Sequence, residues 1–266
     1  MNDQEHKFSS EAMDSPFELF ICGHAEEYAA SAAETIFREV DRLEQLLSRF
    51  VENSDISRIA ALEAGESVVI INDTMDCLLT SLWAFKETDG AFDVSLGSGI
   101  EKLGLDTDNM TVSNNHQPST INPSISLDLG GIGKGFALDR AAAILDEWEI
   151  ENALLTAGPS TILGLGVEGE KEWSIGLQGK PVMLREQAIS ASGKAVKGDH
   201  IIDPRTKRPA GEIERAWAIS PSAAVADALS TAFMVMTPPE VDQFCRKHEG
   251  VEAYLLQKDG EILHLK

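Results

Sequence analysis

Basic residues and cysteines are both scarce in this chain. Its 266 residues include 22 Lys and Arg against 44 Asp and Glu, which gives a net charge of −22. Such a field repels the backbone of a nucleic acid and an anionic membrane surface alike, so we expect neither as a partner. The three cysteines, Cys22, Cys77 and Cys245, are odd in number and have no CxxC spacing. This pattern argues against a disulfide framework and against a thiolate zinc site.

Long apolar runs are also missing. No window reaches the ~18 apolar residues of a membrane span, and the first twenty residues have no basic start followed by an apolar core. We therefore expect no membrane segment and a cytoplasmic location. With 43% hydrophobic and 25% charged residues, the chain can still bury a full core, which excludes disorder and a small disulfide scaffold.

Apolar periodicity predicts helices that alternate with short strands. Ile36, Val40, Leu43 and Leu47 are spaced by four, three and four, which indicates one long core-facing helix. The predicted helices cover about 25–49, a stretch that begins at Asn72 or Asp73 as cap, 134–148, 222–236 and 239–248. The predicted strands cover 17–22, 67–71, 125–129, 152–156, 161–166, 173–178, 188–192 and 215–219, with a closing pair after the last helix. No regular βαβ period is present, so the sequence predicts an α+β fold with interleaved helices and short mixed sheets.

Two segments differ in composition from the rest. Residues 104–124 are rich in Asn, Ser, Thr, Asp and Pro, which predicts an exposed insertion or linker. From Lys171 to Arg215, nine basic residues stand against six acidic ones, so this segment carries +3 and the rest of the chain −25. A basic island in an acidic protein favours an anionic ligand, although a solvated loop face explains the same charges.

The string DLGGIGKG does not match either common phosphate-binding motif. A P-loop needs a glycine five residues before its Gly-Lys pair and a Ser or Thr after it, but Asp128 and Gly135 occupy those places. The dinucleotide pattern GxGxxG, begun at Gly131, meets Phe136 where its last glycine belongs. What remains is a glycine-rich turn at a helix N-terminus with Lys134 beside it, which suits a phosphate group. Close packing of a strand on a helix explains the glycines equally well.

Two further sets of polar residues are candidates for chemistry. Asp227 and Thr231 are four residues apart, so on a helix they share one face and could both bind Mg²⁺ through hard oxygens. A buried Asp and a Thr that bonds back to the helix account for the same spacing. His200 precedes Asp203 by three residues, and a histidine near a carboxylate can act as a base, although surface histidines are common. Neither GxSxG nor HExxH is present, which disfavours hydrolase chemistry of those types.

Six strings, taken together and in order, resemble the flavin transferases of the ApbE type. They are AMDSPFEL, LSRFVENSDISRI, GAFDVSLG, LDLGGIGKGFALDRAA, ASGKAVKGDHIIDPRTKRP and ADALSTAF. They span nearly the whole chain, and the glycine-lysine string followed by the DALST string makes the resemblance specific. The resemblance implies a single ApbE-like domain over residues 1–266, with a ligand cleft between two lobes.

The resemblance also implies a magnesium site and a site for FAD. In the family, a glycine carbonyl and two side chains of a late helix hold Mg²⁺, and these positions match Gly131, Asp227 and Thr231 here. The FAD contacts of the family match Met13, Phe50, Ala91, Phe92, Asp93, Asp128, Lys134, His200 and Ile201. Phe50 could stack on a flat ring, and Lys134 could meet the pyrophosphate. His200, as a base, and Asp227, as a metal ligand, are the catalytic candidates.

Four positions depart from the family pattern. Residues 157–160 read Ala-Gly-Pro-Ser where the family has Gly-Gly-Asp or Gly-Gly-Asn, so a contact on the flavin side is expected to be missing. Ala60 replaces a usual Asn, and Asp14 and Lys207 each replace a usual Gly.

The implied reaction is the Mg²⁺-dependent transfer of FMN from FAD to a Thr or Ser hydroxyl of an acceptor protein, with release of AMP. An Mg²⁺-dependent FAD pyrophosphatase, in which water replaces the hydroxyl, uses the same residues. A flavin-binding protein without turnover is a third hypothesis, motivated by the departures. The sequence does not separate the first two, because the nucleophile comes from outside the chain.

Overall fold

The computed structural model describes residues 5–115, 126–167, 172–194 and 202–266. Within these ranges six α-helices are present, close to the predicted bounds where helices were predicted. They are α1 (Glu26–Leu47), α2 (Asp55–Ala60), α3 (Asn72–Glu87), α4 (Gly133–Glu147), α5 (Ala223–Phe233) and α6 (Pro238–Lys247). The prediction of a long core-facing α1 is confirmed, since its apolar residues at 36, 40, 43 and 47 are all buried.

Eight strands form one sheet in which every neighbouring pair is antiparallel. The strands of the described residues are β1 (Glu5–Ala12), β2 (Ser15–Cys22), β3 (Ser67–Val69), β4 (Leu103–Asp106), β5 (Thr111–Asn114), β6 (Ala153–Ala157), β7 (Thr161–Leu165), β8 (Trp173–Leu177), β9 (Lys180–Leu184), β10 (Gln187–Gly193), β11 (Ile202–Asp203), β12 (Arg208–Pro209), β13 (Ile213–Ser220), β14 (Glu252–Gln257) and β15 (Ile262–Leu265). The large sheet has the order β1-β2-β6-β7-β10-β13-β14-β15. Because helices and antiparallel sheets are both present and no parallel pair occurs among these strands, the α+β prediction is confirmed.

The two faces of the large sheet are covered by different elements. Helices α1, α4 and α5 bury their apolar side chains against one face, together with α3. The hairpin of β8 and β9 covers part of the other face, where Trp173, Leu184 and Trp217 form a separate apolar cluster. Successive side chains of a strand point to opposite faces, so β10 presents Ser190 to α5 and Ile189 to the hairpin. This alternation places hydroxyl groups beneath α5.

The segment predicted as an exposed insertion, 104–124, is partly regular structure. Its described part belongs to a three-stranded antiparallel sheet of β3, β5 and β4, in which Val112 and Asn114 are fully buried. The Asn114 side chain donates to the Leu62 carbonyl oxygen at 2.9 Å, which shows why a polar residue can be buried here. The turn-forming residues around 107–110 connect two paired strands, so this part is not a linker without secondary structure, and the insertion itself stays a prediction. Residues 116–125 lie outside the described ranges.

Two smaller predictions also need correction. Helix α3 begins at Asn72, as expected, but neither Asn72 nor Asp73 is its cap: Ile71 occupies that position and makes no side-chain cap bond. Residues 126–129 of the predicted strand 125–129 form no strand, although Leu127 and Leu129 are buried on either side of Asp128. The alternation is therefore real, but among the described residues a single backbone–backbone bond, from the Asp128 N–H to the Val94 carbonyl oxygen at 2.7 Å, joins this segment to a neighbour, and no ladder forms.

Candidate functional site

A cavity of about 190 Å³ lies where α1 ends, α4 begins and the turn between β1 and β2 approaches both. Four of the residues predicted to contact FAD line it, and the lining also includes three further charged side chains. The predicted residues are Met13, Phe50, Asp128 and Lys134, and the additional charged ones are Asp14, Glu44 and Arg49. The structure thus brings together residues that are 121 positions apart in the chain, from 13 to 134.

The turn at one side of this cavity has an unusual backbone conformation. Met13 and Asp14 have φ angles of 49° and 57°, and Ala12 pairs directly with Ser15. Two consecutive residues with positive φ between paired strands are typical of a two-residue hairpin turn that favours glycine. The usual family glycine at Asp14 is thereby explained, and Lys207, with φ of 60°, occupies a second position of the same kind.

The opposite side of the cavity carries two cations. The Arg49 guanidinium lies 4.8 Å from the centre of the Phe50 ring and 3.4 Å from the Asp128 carboxylate. Lys134 approaches the Gly130 carbonyl oxygen at 3.5 Å and is otherwise directed at the cavity surface. The Phe50 ring itself is 85% exposed, so nothing in the described protein covers its outer surface. A flat aromatic ligand and a phosphate group could therefore both be accommodated here.

Asp227 is 4% exposed and is bonded to three donors from three different elements. Its Oδ2 accepts from the Gly135 backbone N–H at 3.1 Å. Its Oδ1 accepts from the hydroxyls of Ser190 at 3.0 Å and Thr161 at 3.4 Å. Because a carboxylate offers about four lone-pair positions, one position remains for a further partner.

Thr231 lies one turn further along α5, beside the glycine-rich turn. Its Oγ1 is 3.1 Å from the Ser192 hydroxyl, and a Cβ placed on Gly131 would come within 3.2 Å of it. The same hypothetical Cβ would be 3.2 Å from the Phe92 ring, so a side chain at this position would require Phe92 and Thr231 to shift by a few tenths of an ångström. The structure thus places Thr231 directly beside Gly131, with Asp227 one turn away on the same helix and bonded to Gly135.

The three residues suit Mg²⁺ in their chemistry. A carboxylate with an open lone-pair position, a hydroxyl and a backbone carbonyl are all hard oxygen donors. Within the described ranges, no group of three or more His, Cys, Asp or Glu side chains is arranged to hold a metal ion. The set of Gly131, Asp227 and Thr231 contains only one such side chain, so it is not a group of that kind. That these three residues bind a metal ion stays a prediction.

The Ala91–Asp93 run lies behind the glycine-rich turn and does not line the cavity. Ala91 and Phe92 are buried, and Phe92 packs toward Gly131. The Asp93 carboxylate accepts from the backbone N–H groups of Ser95 at 2.8 Å and Gly97 at 2.7 Å, so it orders its own loop. A direct contact of these three residues with FAD remains a prediction.

The two remaining predicted residues, His200 and Ile201, lie outside the described residues. The nearby hairpin of β11 and β12 is described, and Asp203 in it accepts from the Arg205 guanidinium at 3.0 Å. This ion pair and the Arg205 backbone N–H hold the pKa of Asp203 below its ordinary value against the opposing effect of burial. Asp203 thus has a partner of its own, and its predicted relation to His200 is untested.

The altered turn 157–160 lies at the same end of the sheet as the Met13–Asp14 turn. Gly158 has φ of 59° and donates its N–H to the Pro16 carbonyl oxygen at 2.7 Å. Pro159 and Ser160 line a second cavity, of about 110 Å³, together with Trp217 on the sheet face that β8 and β9 cover. The departure from the family pattern therefore changes this second cavity and not the lining of the first.

Four side chains that contact the Phe50 ring, the Asp227 carboxylate or the Thr231 hydroxyl escaped the sequence analysis. Arg49 directly precedes Phe50, and that position in the LSRF string was its only signal. Thr161, Ser190 and Ser192 reach Asp227 or Thr231 from two paired strands. The spacing of Ser190 and Ser192 by two indicates a common strand face, but not what that face meets.

A glycine-rich helix N-terminus beside two cations and a cluster of hard oxygen donors is the arrangement of a protein that binds phosphate groups. The sequence model of the ApbE family matches residues 13–255. The chain belongs to the ApbE family, and the resemblance seen in its motifs is confirmed.

Individual relatives support the same assignment. FAD:protein FMN transferase of Escherichia coli K12 is 25% identical over 278 residues, covering 88% of this chain and 78% of its own. FAD:protein FMN transferase of Treponema pallidum is 26% identical, with 87% and 78% covered. The apo crystal structure of the flavinyl transferase ApbE from Pseudomonas stutzeri has a TM-score of 0.87 at 20% identity, covering 100% of this chain and 97% of that one. These structural likenesses establish the fold.

Among the described residues, no helix combines the length and apolar character that crossing a bilayer requires.

Proposed function

We propose that this protein transfers FMN from FAD to a Thr or Ser hydroxyl of an acceptor protein. The acceptor oxygen forms a bond to the phosphorus on the FMN side of the pyrophosphate, and the bond from that phosphorus to the AMP oxygen breaks. The hydroxyl proton leaves with a base, and AMP departs as the second product. In such phosphoryl transfer the protein contributes mainly by positioning the groups and neutralising charge.

One observation supports this proposal: Thr231 lies beside Gly131 and Asp227 is bonded to Gly135, so the cluster proposed to hold the metal adjoins the glycine-rich turn whose next residues line the 190 Å³ cavity. Gly130, Gly133 and Lys134 belong to that lining, so the cluster and the cavity share one turn of chain. A pyrophosphate at this turn would meet backbone N–H groups of the α4 N-terminus.

Asp227, Thr231 and the Gly131 carbonyl would hold the Mg²⁺ ion. When bound, this ion supplies Lewis-acid polarisation of the pyrophosphate and compensates its charge. Ser190 and Thr161 keep the Asp227 carboxylate in one orientation through their hydroxyl bonds, and Ser192 does the same for Thr231. His200 would accept the proton of the incoming hydroxyl.

The charged residues around the cavity would orient FAD. Lys134 would meet the pyrophosphate, and the exposed face of Phe50 would stack on a ring of the nucleotide. Arg49 already lies over the other face of Phe50 and is held by Asp128, so a ligand ring would complete a three-layer stack. This arrangement favours a ligand that is both aromatic and anionic.

The test is incubation of the purified protein with FAD and Mg²⁺, with and without a peptide that presents Thr, followed by chromatography for AMP and mass spectrometry of the peptide. We expect AMP release that depends on the peptide, together with a peptide heavier by one FMN phosphoester. AMP without the peptide would identify an FAD pyrophosphatase. Binding of FAD without AMP under both conditions would identify a flavin-binding protein without turnover. Asp227→Asn serves as the inactive control.

A further inference from the structure

Helices α4 and α5 each supply a carboxylate to the N-terminal amides of the other. Asp139 of α4 accepts from the backbone N–H groups of Ala223 at 2.7 Å and Ala224 at 2.9 Å, which are the first two amides of α5. Asp227 of α5 accepts from Gly135, the third residue of α4. On α4, Asp139 lies four residues after Gly135, whose N–H binds Asp227. On α5, Asp227 lies four residues after Ala223, whose N–H binds Asp139. The exchange between the two helices is therefore reciprocal.

The amides that Asp139 binds have no acceptor within their own helix. The first amides of any helix lack intrahelical partners, and the usual capping side chain satisfies only one of them. In α5 the cap is Ser222, and its Oγ accepts from Val225 at 3.2 Å, not from Ala223 or Ala224. The same Oγ donates to Asp139 at 2.7 Å, so Asp139 orders the whole start of α5.

Contact between the two helix starts is as close as a backbone allows. A Cβ placed on Gly135 would come within 2.1 Å of the Ala223 carbonyl oxygen, so the two chains meet without side chains between them. Burial raises the pKa of Asp139, and its bonds from Ala224, Ser222 and Ala223 oppose that rise. Asp139 is therefore a desolvated carboxylate, and both of its oxygens accept hydrogen bonds from the start of α5.

This contact determines where Asp227 lies. Asp227 is one turn beyond Ala223 on α5, and the glycine-rich turn is less than one turn before Gly135 on α4. If the start of α5 moves away from α4, the Asp227 and Thr231 side chains move with it, away from Gly131. Hard-oxygen sites for Mg²⁺ tolerate little displacement, because the ion requires near-octahedral geometry.

We propose that Asp139 is a positioning residue of the reaction: it fixes the start of α5 so that Asp227 and Thr231 are held against Gly131. The inference rests on the proposed function, in which these three residues hold the metal. Asp139 does not touch substrate, and nothing in its contacts requires that it should.

The test compares Asp139→Asn with Asp55→Asn as a matched control. Asp55 is also a buried carboxylate at a helix start: it accepts from the Ile71 N–H at 3.1 Å and the Thr74 hydroxyl at 2.8 Å, and it pairs with Arg58. These bonds join α2 to the start of α3 and involve no residue of α4 or α5. In Asp139→Asn the amide nitrogen must face a backbone N–H whichever way it turns, because each Asp139 oxygen accepts from one. In Asp55→Asn the oxygen can stay on Ile71 and Thr74, and the amide nitrogen then faces the Arg58 guanidinium. Each substitution therefore sets two donors against each other, and both should lower the melting temperature.

The decisive measurement is equilibrium binding of Mn²⁺, followed by electron paramagnetic resonance, alongside kcat and KM for FAD. We expect Asp139→Asn to raise the Mn²⁺ Kd at least tenfold and to lower kcat, with KM for FAD within about threefold of wild type. Asp55→Asn should lose stability and keep the wild-type Mn²⁺ Kd. Should Asp139→Asn be insoluble, Asp139→Ser, which keeps one acceptor oxygen, is measured by the same criteria.

Two results would overturn the inference: wild-type Mn²⁺ affinity in the Asp139 variant, or an equal loss of affinity in Asp55→Asn. An Asp227→Ala variant distinguishes failure of the positioning role of Asp139 from failure of the proposed metal site. If Asp227→Ala loses Mn²⁺ binding while Asp139→Asn keeps it, only the positioning role is wrong. If Asp227→Ala binds Mn²⁺ like wild type, the metal site itself is wrong.

Discussion

Replacement of Asp227 by Asn should abolish magnesium-dependent AMP release while costing little stability. The two oxygens of Asp227 meet different kinds of donor: Oδ2 meets the Gly135 backbone N–H, whereas Oδ1 meets the Ser190 and Thr161 hydroxyls. A backbone N–H can only donate. A hydroxyl can rotate and accept instead. An Asn side chain can therefore keep its oxygen on Gly135 and donate its two amide hydrogens to the two hydroxyls.

The number of hydrogen bonds kept or lost gives the expected change in the free energy of unfolding of each variant. In Asp227→Asn all three neighbours stay bonded, so the loss in the free energy of unfolding should be below about 1 kcal/mol, the net value of one ordinary hydrogen bond. In Asp227→Ala the buried Gly135 N–H has no acceptor, which alone costs about 1–3 kcal/mol, and both hydroxyls lose a partner as well. The Asn variant should thus be clearly more stable than the Ala variant, although both lack the charged metal ligand.

Urea denaturation of the two variants and the wild type measures the stabilities, and chromatography of AMP measures turnover over a range of Mg²⁺ concentrations. Equal destabilisation by Asn and Ala would show that the hydroxyls do not rotate as argued. Magnesium-dependent AMP release by folded Asp227→Asn would refute the assignment of Asp227 as the charged ligand, because a hard divalent ion gains little from a neutral amide in place of its one carboxylate.

Three further predictions address other parts of the structure. Lys134→Glu should weaken FAD binding by about 1.5–3 kcal/mol, the value of a charge-assisted bond, and an unchanged Kd in a fluorescence titration would remove Lys134 from the site. Gly135→Ala should lower the free energy of unfolding by about 1–3 kcal/mol, because its Cβ would overlap the Ala223 carbonyl oxygen. Gly133→Ala should be neutral or stabilising, because its Cβ would meet nothing within 4 Å. Equal urea midpoints for the two variants would contradict this prediction. Pro159 lines the second cavity and lacks an N–H, so if the flavin half of FAD extends to that cavity, ADP should compete with FAD better than FMN does, and Pro159→Gly with Ser160→Asp should restore FMN competition. Equal competition by FMN in the natural protein would show the altered turn to be neutral.

Periodicity was sufficient to predict most helices because their apolar residues face one large core. It failed for β1, where only His6 and Ala12 are buried, since an edge strand with polar residues on both faces has no apolar alternation to detect. Helix α2 is only six residues long and was missed for a related reason: one turn and a half carries too little periodicity.

The site was predictable only in part, since its residues are of two kinds. Asp227 and Thr231 belong to one helix, so their spacing already implied a common face. Thr161 and Ser190 reach Asp227 only because β7 and β10 pair in the register that sets them opposite each other. No local sequence pattern encodes that register. The family resemblance implied the metal ligands, but it did not indicate the Thr161 and Ser190 hydroxyls that orient Asp227.

The bonds of Asp227 also determine when the site can form during folding. Its partners lie 37, 66 and 92 residues earlier in the chain, on β10, β7 and α4. Closing such long loops costs entropy before any contact is gained, so contacts of this range form late. A nascent chain that ends before α5 contains both cations of the cavity and all three donors, yet has no carboxylate to receive them. The carboxylate proposed to hold the metal therefore meets its donors only after α5 has packed on α4, β7 and β10, so the proposed metal site should be among the last parts of the fold to form.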